Sequence, residues 1–338
     1  MSFKLTSFLQ AIVIYAIGGF YALQFLLRTT LEILSDPWPV NWSTKTRLFP
    51  PAILTDSKHG RHQYTKINGV RLHYVENGDR EKPLMLFLHG FPEFWFSWRH
   101  QLEEFAKDYW VVALDLRGFG NSEQPDDPAA YRIDLVVEDI RSFIQTSGHE
   151  KAIVIGHGFG ATVGFQFVLK HMPMVERYVM MGGASLTVTR SLLLTSWQQF
   201  KMSWNSFFYR VPNLPEFYVS CKDFRFIEQN MGRFLTFQEL EAYKYTFSRK
   251  DAMKRALHCL RENFNLWRIE ERLPAIDIYS PGLYLVAEND QFVSMHSAPA
   301  LVKAYDSLKF RVVPGCGHYM HLESPAVINK MIRDFLNT

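Results

Sequence analysis

The stretch Ala152-Ile153-Val154-Ile155-Gly156-His157-Gly158-Phe159-Gly160-Ala161 is a β-branched run, then glycines at alternate positions, then the helix-forming Thr162–Lys170. A strand, a tight turn and a helix in that order present whatever stands at the apex of the turn. Proteins use such a turn to expose a nucleophile or to cradle a phosphate. Here the apex residue is Gly158, which offers no side chain. Further on, Asp290 follows the strand-like Gly282–Ala287, and His318 follows the strand-like Phe310–Val313. An elbow, then an acid, then a histidine is the chain order of a hydrolytic relay, in which a carboxylate orients an imidazole and the imidazole activates a nucleophile or water.

The phosphate alternative is weaker. Gly156-His157-Gly158-Phe159-Gly160-Ala161 fits G-x-G-x-x-A, but that motif belongs to the first βα turn of its domain and needs an acid about twenty residues later. Two core strands precede this turn, and the next strand, Arg177–Met181, ends in Gly182-Gly183. No cofactor is expected. Cys221, Cys259 and Cys316 lie far apart, without metal-ligand spacing or a disulfide framework. No metal ligands are assigned. A hydrolytic site also needs backbone N–H donors for a developing oxyanion. The residue after the elbow, Phe159, supplies one, and the loop His89-Gly90-Phe91-Pro92 offers the other at Phe91.

Several elements must position these residues. Gln63–Ile67 and Val70–Glu76 flank Asn68-Gly69, a hairpin signal. Leu84–Leu88, Trp110–Leu114, Ala152–Ile155 and Arg177–Met181 read as buried strands, alternating with helical Trp98–Asp108, Leu135–Ser147 and Thr162–Lys170. That alternation predicts a mostly parallel central sheet flanked by helices. From residue 185 to 277 no buried strand is legible, only helical and aromatic sequence such as Ser203–Tyr209 and Gln238–Phe247. The pattern resumes with Gly282–Ala287, a helix near Ala298–Tyr305, Phe310–Val313 and a closing helix at Pro325–Phe335. The expected organisation is a core in two parts, 61–184 and 278–338, interrupted by a helical cap, 185–277.

The N-terminus stands apart. Leu5–Leu27 contains only Gln10 and Gln24 as strongly polar residues. A helix of this length spans roughly 35 Å, enough for the ~30 Å hydrocarbon layer of a bilayer. It is apolar on all sides, unlike an amphipathic core helix, and no clear cleavage site precedes Arg28. Residues 1–30 are expected to anchor the chain in a lipid bilayer through residues 5–27, and 31–60, with Pro37, Pro39, Pro50 and Pro51, to be a linker. The flanking charges, Lys4 against Arg28, Lys45 and Arg47, leave the side of the membrane undecided, and Asn41-Trp42-Ser43 is a glycosylation sequon only if the body is lumenal. The formal charge is +3, with no basic cluster interleaved with aromatics, so nucleic acid is not an expected partner. Aromatic residues make up 15% of the chain, 28 of them Phe, which suits either a large apolar cavity or simple core packing.

Three separated motifs carry a resemblance. His89-Gly90-Phe91-Pro92-Glu93-Phe94-Trp95-Phe96-Ser97-Trp98-Arg99, Asp115-Leu116-Arg117-Gly118-Phe119-Gly120-Asn121-Ser122 and the Gly156–Gly160 elbow resemble the epoxide hydrolases of the α/β-hydrolase superfamily. The anchor followed by this body is similar to their membrane-anchored animal branch. The resemblance implies an α/β-hydrolase fold with an inserted helical cap, no cofactor, and water addition to an epoxide through an ester on an elbow aspartate. It also implies two cap tyrosines that protonate the epoxide oxygen.

The chain departs from that pattern. Gly158 stands in the nucleophile's place. In a serine hydrolase, loss of the nucleophile costs on the order of 10⁶ in rate, roughly 8 kcal/mol. At the first cap tyrosine the matching residue is Phe208, with Tyr209 one position away; at the second it is Leu260, before Arg261. Thr162 and Cys316 are weak substitutes for the attacker, and a water activated by His318 and Asp290 is a stronger one. Glycine also relieves the backbone strain of an elbow apex, about 1–3 kcal/mol for other residues. The expectation is a membrane-anchored chain, in the endoplasmic reticulum, that binds a hydrophobic small molecule such as an epoxide or fatty-acid derivative with little or no turnover. The alternatives are a slow esterase working through water, and a non-catalytic interaction protein at the membrane.

Overall fold

The structure, a computed structural model, describes residues 2–35, 42–264 and 278–338, with side chains from residue 12 onward. Pro37, Pro39, Asn41 of the sequon and the last part of the expected cap, 265–277, lie outside the described residues.

Helix α1, Ser2–Ser35, opens the chain and runs past the expected boundary at residue 30. Two short 3₁₀ turns, Ala52–Leu54 and Ser57–His59, lead to the hairpin β1, Arg61–Ile67, and β2, Val70–Asn77. Asn68 and Gly69 both take positive φ at its tip, as the Asn-Gly pair requires. Then follow β3, Leu84–Leu88, α2, Arg99–Phe105, β4, Trp110–Leu114, α3, Ile133–Thr146, β5, Ala152–His157, α4, Phe159–His171, and β6, Val175–Met181. Among the described residues six helices form the cap: α5, Leu186–Thr195, α6, Trp197–Met202, α7, Trp204–Phe208, α8, Leu214–Met231 (broken at Cys221–Phe224), α9, Phe237–Ser248, and α10, Ala252–Asn263. The core closes with β7, Gly282–Ala287, α11, Ser297–Ala304, β8, Leu308–Val313, α12, Met320–Glu323, and α13, Pro325–Leu336.

The eight strands form one sheet in the order β1-β2-β4-β3-β5-β6-β7-β8. β1–β2 and β2–β4 pair antiparallel, and the other five pairs are parallel. The central strands β3, β4 and β5 are buried along their whole length, which explains their unbroken apolar sequence. Helix α3 shows the opposite pattern, with Val136, Val137, Ile140, Phe143 and Ile144 inward and Glu138 and Arg141 at the surface. The parallel order places the ends of β3, β5, β7 and β8 at one edge of the sheet. The loops after those strands carry Phe91, Gly158, Asp290 and His318.

Helix α1 contains a stretch, Ile12–Ser35, long and apolar enough to cross a membrane. One of its faces leans on the cap. Ile14 packs with Leu193 and Phe207, Tyr21 with Trp204, and Phe25 with Phe208, Phe217 and Tyr218. Gly18 permits the approach, since a Cβ there would lie 2.7 Å from the Phe207 carbonyl oxygen. The remaining faces expose Ile12, Val13, Phe20, Leu23, Leu27 and Leu31. Beyond it, residues 42–60 are not a free tether. Arg47 pairs with Asp223 at 2.7 Å and Glu241 at 3.0 Å on the cap, with only 8% of its side chain exposed.

Candidate active site

The elbow is built by backbone contacts too close for larger residues. A Cβ on Gly160 would lie 2.2 Å from the Leu88 carbonyl oxygen, so the first turn of α4 can approach β3 only with glycine there. Gly158 sits at φ +53°, ψ −117°, a conformation strained for any residue with a side chain. Its N–H donates to the Met181 carbonyl at 2.9 Å, and its own carbonyl accepts from the Thr162 N–H at 3.2 Å. These two bonds fix the apex between β6 and α4.

Asp290 and His318, twenty-eight positions apart in sequence, meet over this apex. The His318 Nδ1 lies 2.9 Å from Asp290 Oδ2 and 3.1 Å from Oδ1. Asp290 Oδ1 also accepts the N–H groups of Phe292 and Val293, at 2.7 and 2.9 Å. Burial pushes the Asp290 carboxyl up, but His318 and those two N–H donors outweigh it and hold it below the usual carboxylate range. With Nδ1 so held, His318 Nε2 turns toward the elbow. A Cβ on Gly158 would stand 3.6 Å from it and 3.5 Å from the Gly90 Cα, both ordinary contact distances. A side chain therefore has room at the apex, and none is present.

A cavity of about 210 Å³ opens over this point. Phe91, Phe159, Tyr209, Leu260, Phe292 and His318 are among its walls. Neither the Phe91 nor the Phe159 N–H donates to another group among the described residues. Phe159 begins the thirteen-residue α4, so its N–H belongs to the positive end of a helix.

The cap residues separate. Phe208 is buried among Phe25, Trp204 and Tyr218 and does not face the cavity. The adjacent Tyr209 does, with its ring edge-on to Phe91 at 5.7 Å. Its hydroxyl lies beside the Asn205 side chain without a bond of full hydrogen-bond geometry, and burial pushes its ionisation well above the usual tyrosine range. Arg261 holds the Tyr209 backbone, donating from Nε to the Tyr209 carbonyl at 2.5 Å and from Nη2 to that of Val211 at 3.1 Å, while pairing with Glu216. Leu260 presents only an apolar surface to the cavity. Thr162 lines it too, but its hydroxyl is committed to the Ala184 carbonyl at 3.0 Å. Cys316 is buried against Ser324 and lines no part of the cavity.

Beneath the apex lies a group that the sequence motifs contained without revealing its role. His157 Nδ1 lies 2.7 Å from Glu93 Oε2, and its Nε2 lies 2.9 Å from the His318 backbone carbonyl. Glu93 Oε2 also accepts the Gly90 N–H at 2.6 Å, and His321 Nε2 stands 3.1 Å from Oε1. All three side chains are fully buried. Burial pushes His157 down, but the Glu93 charge overrides this and raises it above the ordinary histidine range. Burial likewise pushes Glu93 up, and His157 and His321 pull it well below the carboxylate range. His321 is pushed down to about 4 by burial and by the His157 charge. The electrostatics thus favour a proton on His157 against the Glu93 carboxylate and disfavour one on His321. Among the described residues, these three form the group whose ligand atoms, all within 4.8 Å, could reach a metal ion. Glu93 Oε2 already accepts two donors, from Gly90 and His157. Sequence reading assigned no role to this group because histidine and glutamate there had no partner visible along the chain.

Comparison with known proteins adds the following. Residues 83–325 match the family described as alpha/beta hydrolase fold. Epoxide hydrolase 3 of Xenopus tropicalis is 35% identical over 300 residues, covering 85% of this chain and 80% of that protein. Epoxide hydrolase 4 of Mus musculus is 33% identical over 337 residues, covering 96% and 92%. Among solved structures, the epoxide hydrolase of Bacillus megaterium in complex with an inhibitor superposes with a TM-score of 0.76 at 27% identity, over 82% of this chain and all of that one. An epoxide hydrolase of Vigna radiata gives 0.72 at 22% identity, over 82% and 97%, a likeness of fold.

Proposed function

Because the chain belongs to the epoxide hydrolase family of the α/β-hydrolase superfamily, we propose that it holds a hydrophobic small molecule, of epoxide or fatty-acid type, beneath its cap with little or no turnover. The observation that carries this reading is the apex. His318 and Asp290 form the half of the site that activates water, while Gly158 offers no atom to open an epoxide and form an ester. Phe91 and Phe159 supply the N–H donors, and Tyr209 is, among the described residues, the phenol on the cap side of the cavity placed to protonate a ring oxygen.

The membrane part of the reading rests on α1. A helix with Ile12–Ser35 long and apolar enough to span, exposing apolar residues away from the cap, suits a single-pass anchor that places the cavity next to a lipid source. The endoplasmic reticulum is the membrane proposed.

Gly158→Asp tests the proposal in an assay of lipid and aryl epoxides. The native chain should show turnover at background, and the variant should gain it. Native turnover at the level of ordinary enzymes of this kind would overturn the reading. A second reading, slow ester hydrolysis by water in the space over Gly158, is favoured by the intact His318–Asp290 pair. It requires an esterase activity that vanishes in His318→Ala. The third, an interaction protein whose cavity is only structural, requires that no small hydrophobic ligand bind and that a protein partner co-purify.

A further inference from the structure

Replacing a side chain by hydrogen at the apex removes an attacker, and it also creates an acceptor-poor space lined with donors. Nothing stands nearer to a Gly158 Cβ position than the Gly90 Cα at 3.5 Å and His318 Nε2 at 3.6 Å. The Phe91 and Phe159 N–H groups in the same wall have no acceptor among the described residues, and Phe159 opens α4. Tyr209 lines the same cavity with only 3% of the residue exposed, its hydroxyl beside the Asn205 side chain. A purely apolar ligand would cover these donors and leave them unpaired, at about 1–3 kcal/mol each. An anionic ligand head satisfies them, since a carboxylate accepts at two oxygens with roughly four lone-pair sites.

We propose that the cavity takes an amphiphilic carboxylic acid, with the ligand's carboxylate in the space over Gly158 and its apolar tail along Leu186, Leu192, Leu260 and Phe292. The ligand's head then occupies the volume in which other chains of this fold could carry an acidic side chain, and His318 lies between it and Asp290. His318 donates to Asp290 through Nδ1, and the proton the acid brings is shared between the ligand's carboxylate and Nε2, which faces the space over Gly158. The Phe91 and Phe159 N–H groups bind the carboxylate oxygens as charge-assisted donors. This rests on the reading of the cavity as a site for a hydrophobic small molecule, and names the chemical class of that molecule.

The test is calorimetric titration of the full chain in detergent with decanoate and with decanamide, equal in length and differing in charge. Native protein should bind decanoate at least about tenfold tighter, the margin expected of a charged over a neutral acceptor. Gly158→Asp, which fills the space with a like charge, should lose that preference while still binding decanamide. The carboxyl signal of ¹³C-labelled decanoate should shift on binding to native protein and stay unshifted with the variant. Equal affinity for the two ligands in native protein would overturn the carboxylate proposal while leaving the cavity reading standing. So would a decanoate affinity unchanged in Gly158→Asp. Binding of neither ligand would overturn both.

Discussion

His157, the residue immediately before the empty apex, is bonded through Nε2 to the backbone carbonyl of His318 at 2.9 Å. The loop that carries the imidazole of the site is therefore tied to the strand that carries the elbow. The tie is charged, because His157 gains its proton from its contact with Glu93.

This relationship has a pH signature. His157 has a raised folded-state pKa, so its contribution is fully present below about 6.5 and is lost as pH rises through the folded value. Glu93 is depressed, so its contribution is present above about 4.3 and is lost on acidification. His321 is held neutral down to about 4, so the unfolded chain binds a proton that the native chain does not. Stability therefore falls as pH drops from about 6.5 toward that value. Buried His89 and half-buried His100 act in the same direction. Thermal unfolding between pH 4 and 9 should show a falling acid limb. His321→Gln should reduce its slope by about one proton, or ~1.4 kcal/mol per pH unit. An unaltered slope would contradict a neutral His321.

Tyr209 can be separated from Phe208 by kinetics. In the Gly158→Asp background, Tyr209→Phe should lower kcat for epoxide opening by about 10²-fold, the scale of a single general acid. Phe208→Tyr should leave kcat within a few-fold, because that ring faces Phe25 and Tyr218 rather than the cavity. A large gain from Phe208→Tyr would show that the cap repacks.

The Gly158→Asp variant should itself be less stable than the native chain. Its Cβ meets only ordinary contacts, but the backbone φ of +53° is unfavourable for a side chain. The expected cost is about 1–3 kcal/mol, read from denaturant unfolding in detergent. A gain in activity accompanied by a loss of stability would be the expected pairing; unchanged stability would mean that the apex relaxes on substitution.

The contact between α1 and the cap depends on Gly18. Gly18→Leu drives its side chain into the Phe207 carbonyl, where even a Cβ lies at 2.7 Å. The helix should separate from α7 and uncover Phe207, Trp204 and Phe208. Protease digestion of the detergent-solubilised chain should then cut within the uncovered α7 at least several-fold faster than in the native protein. Equal rates would mean that the helix is held chiefly by Tyr21 and Phe25.

Much of the fold was legible because the buried strands are apolar without interruption. Leu84–Leu88, Trp110–Leu114 and Gly282–Ala287 appear in the structure with the same ends as in the sequence reading. Helix ends were less legible. α4 begins at Phe159 rather than Thr162, because Gly160 already packs against the end of β3 and Ala161 against Gly156 of β5. The candidate residues Gly158, His318, Phe91 and Phe159 line one cavity, with Asp290 behind His318, because each follows a strand end, a position that chain order alone can suggest. The cap resisted reading for a different reason. Its helices are short and aromatic, and Phe208 and Tyr209 are adjacent, so only packing decides which faces the cavity. The Glu93–His157–His321 group was invisible because its members come from a loop, the end of β5 and the short α12, far apart in sequence, and their meaning is electrostatic.

Arg47 bonds the segment after α1 to Asp223 on α8 and Glu241 on α9. An inserted domain is normally joined to its parent by two chain crossings, here after β6 and before β7. This molecule has a third, running from Arg47 to the start of β1. Any hinge that opens the cavity must bend all three, and α1 travels with the moving part. If α1 is held in a bilayer, the cap becomes the fixed frame and the sheet, with its elbow and His318, is the body that swings.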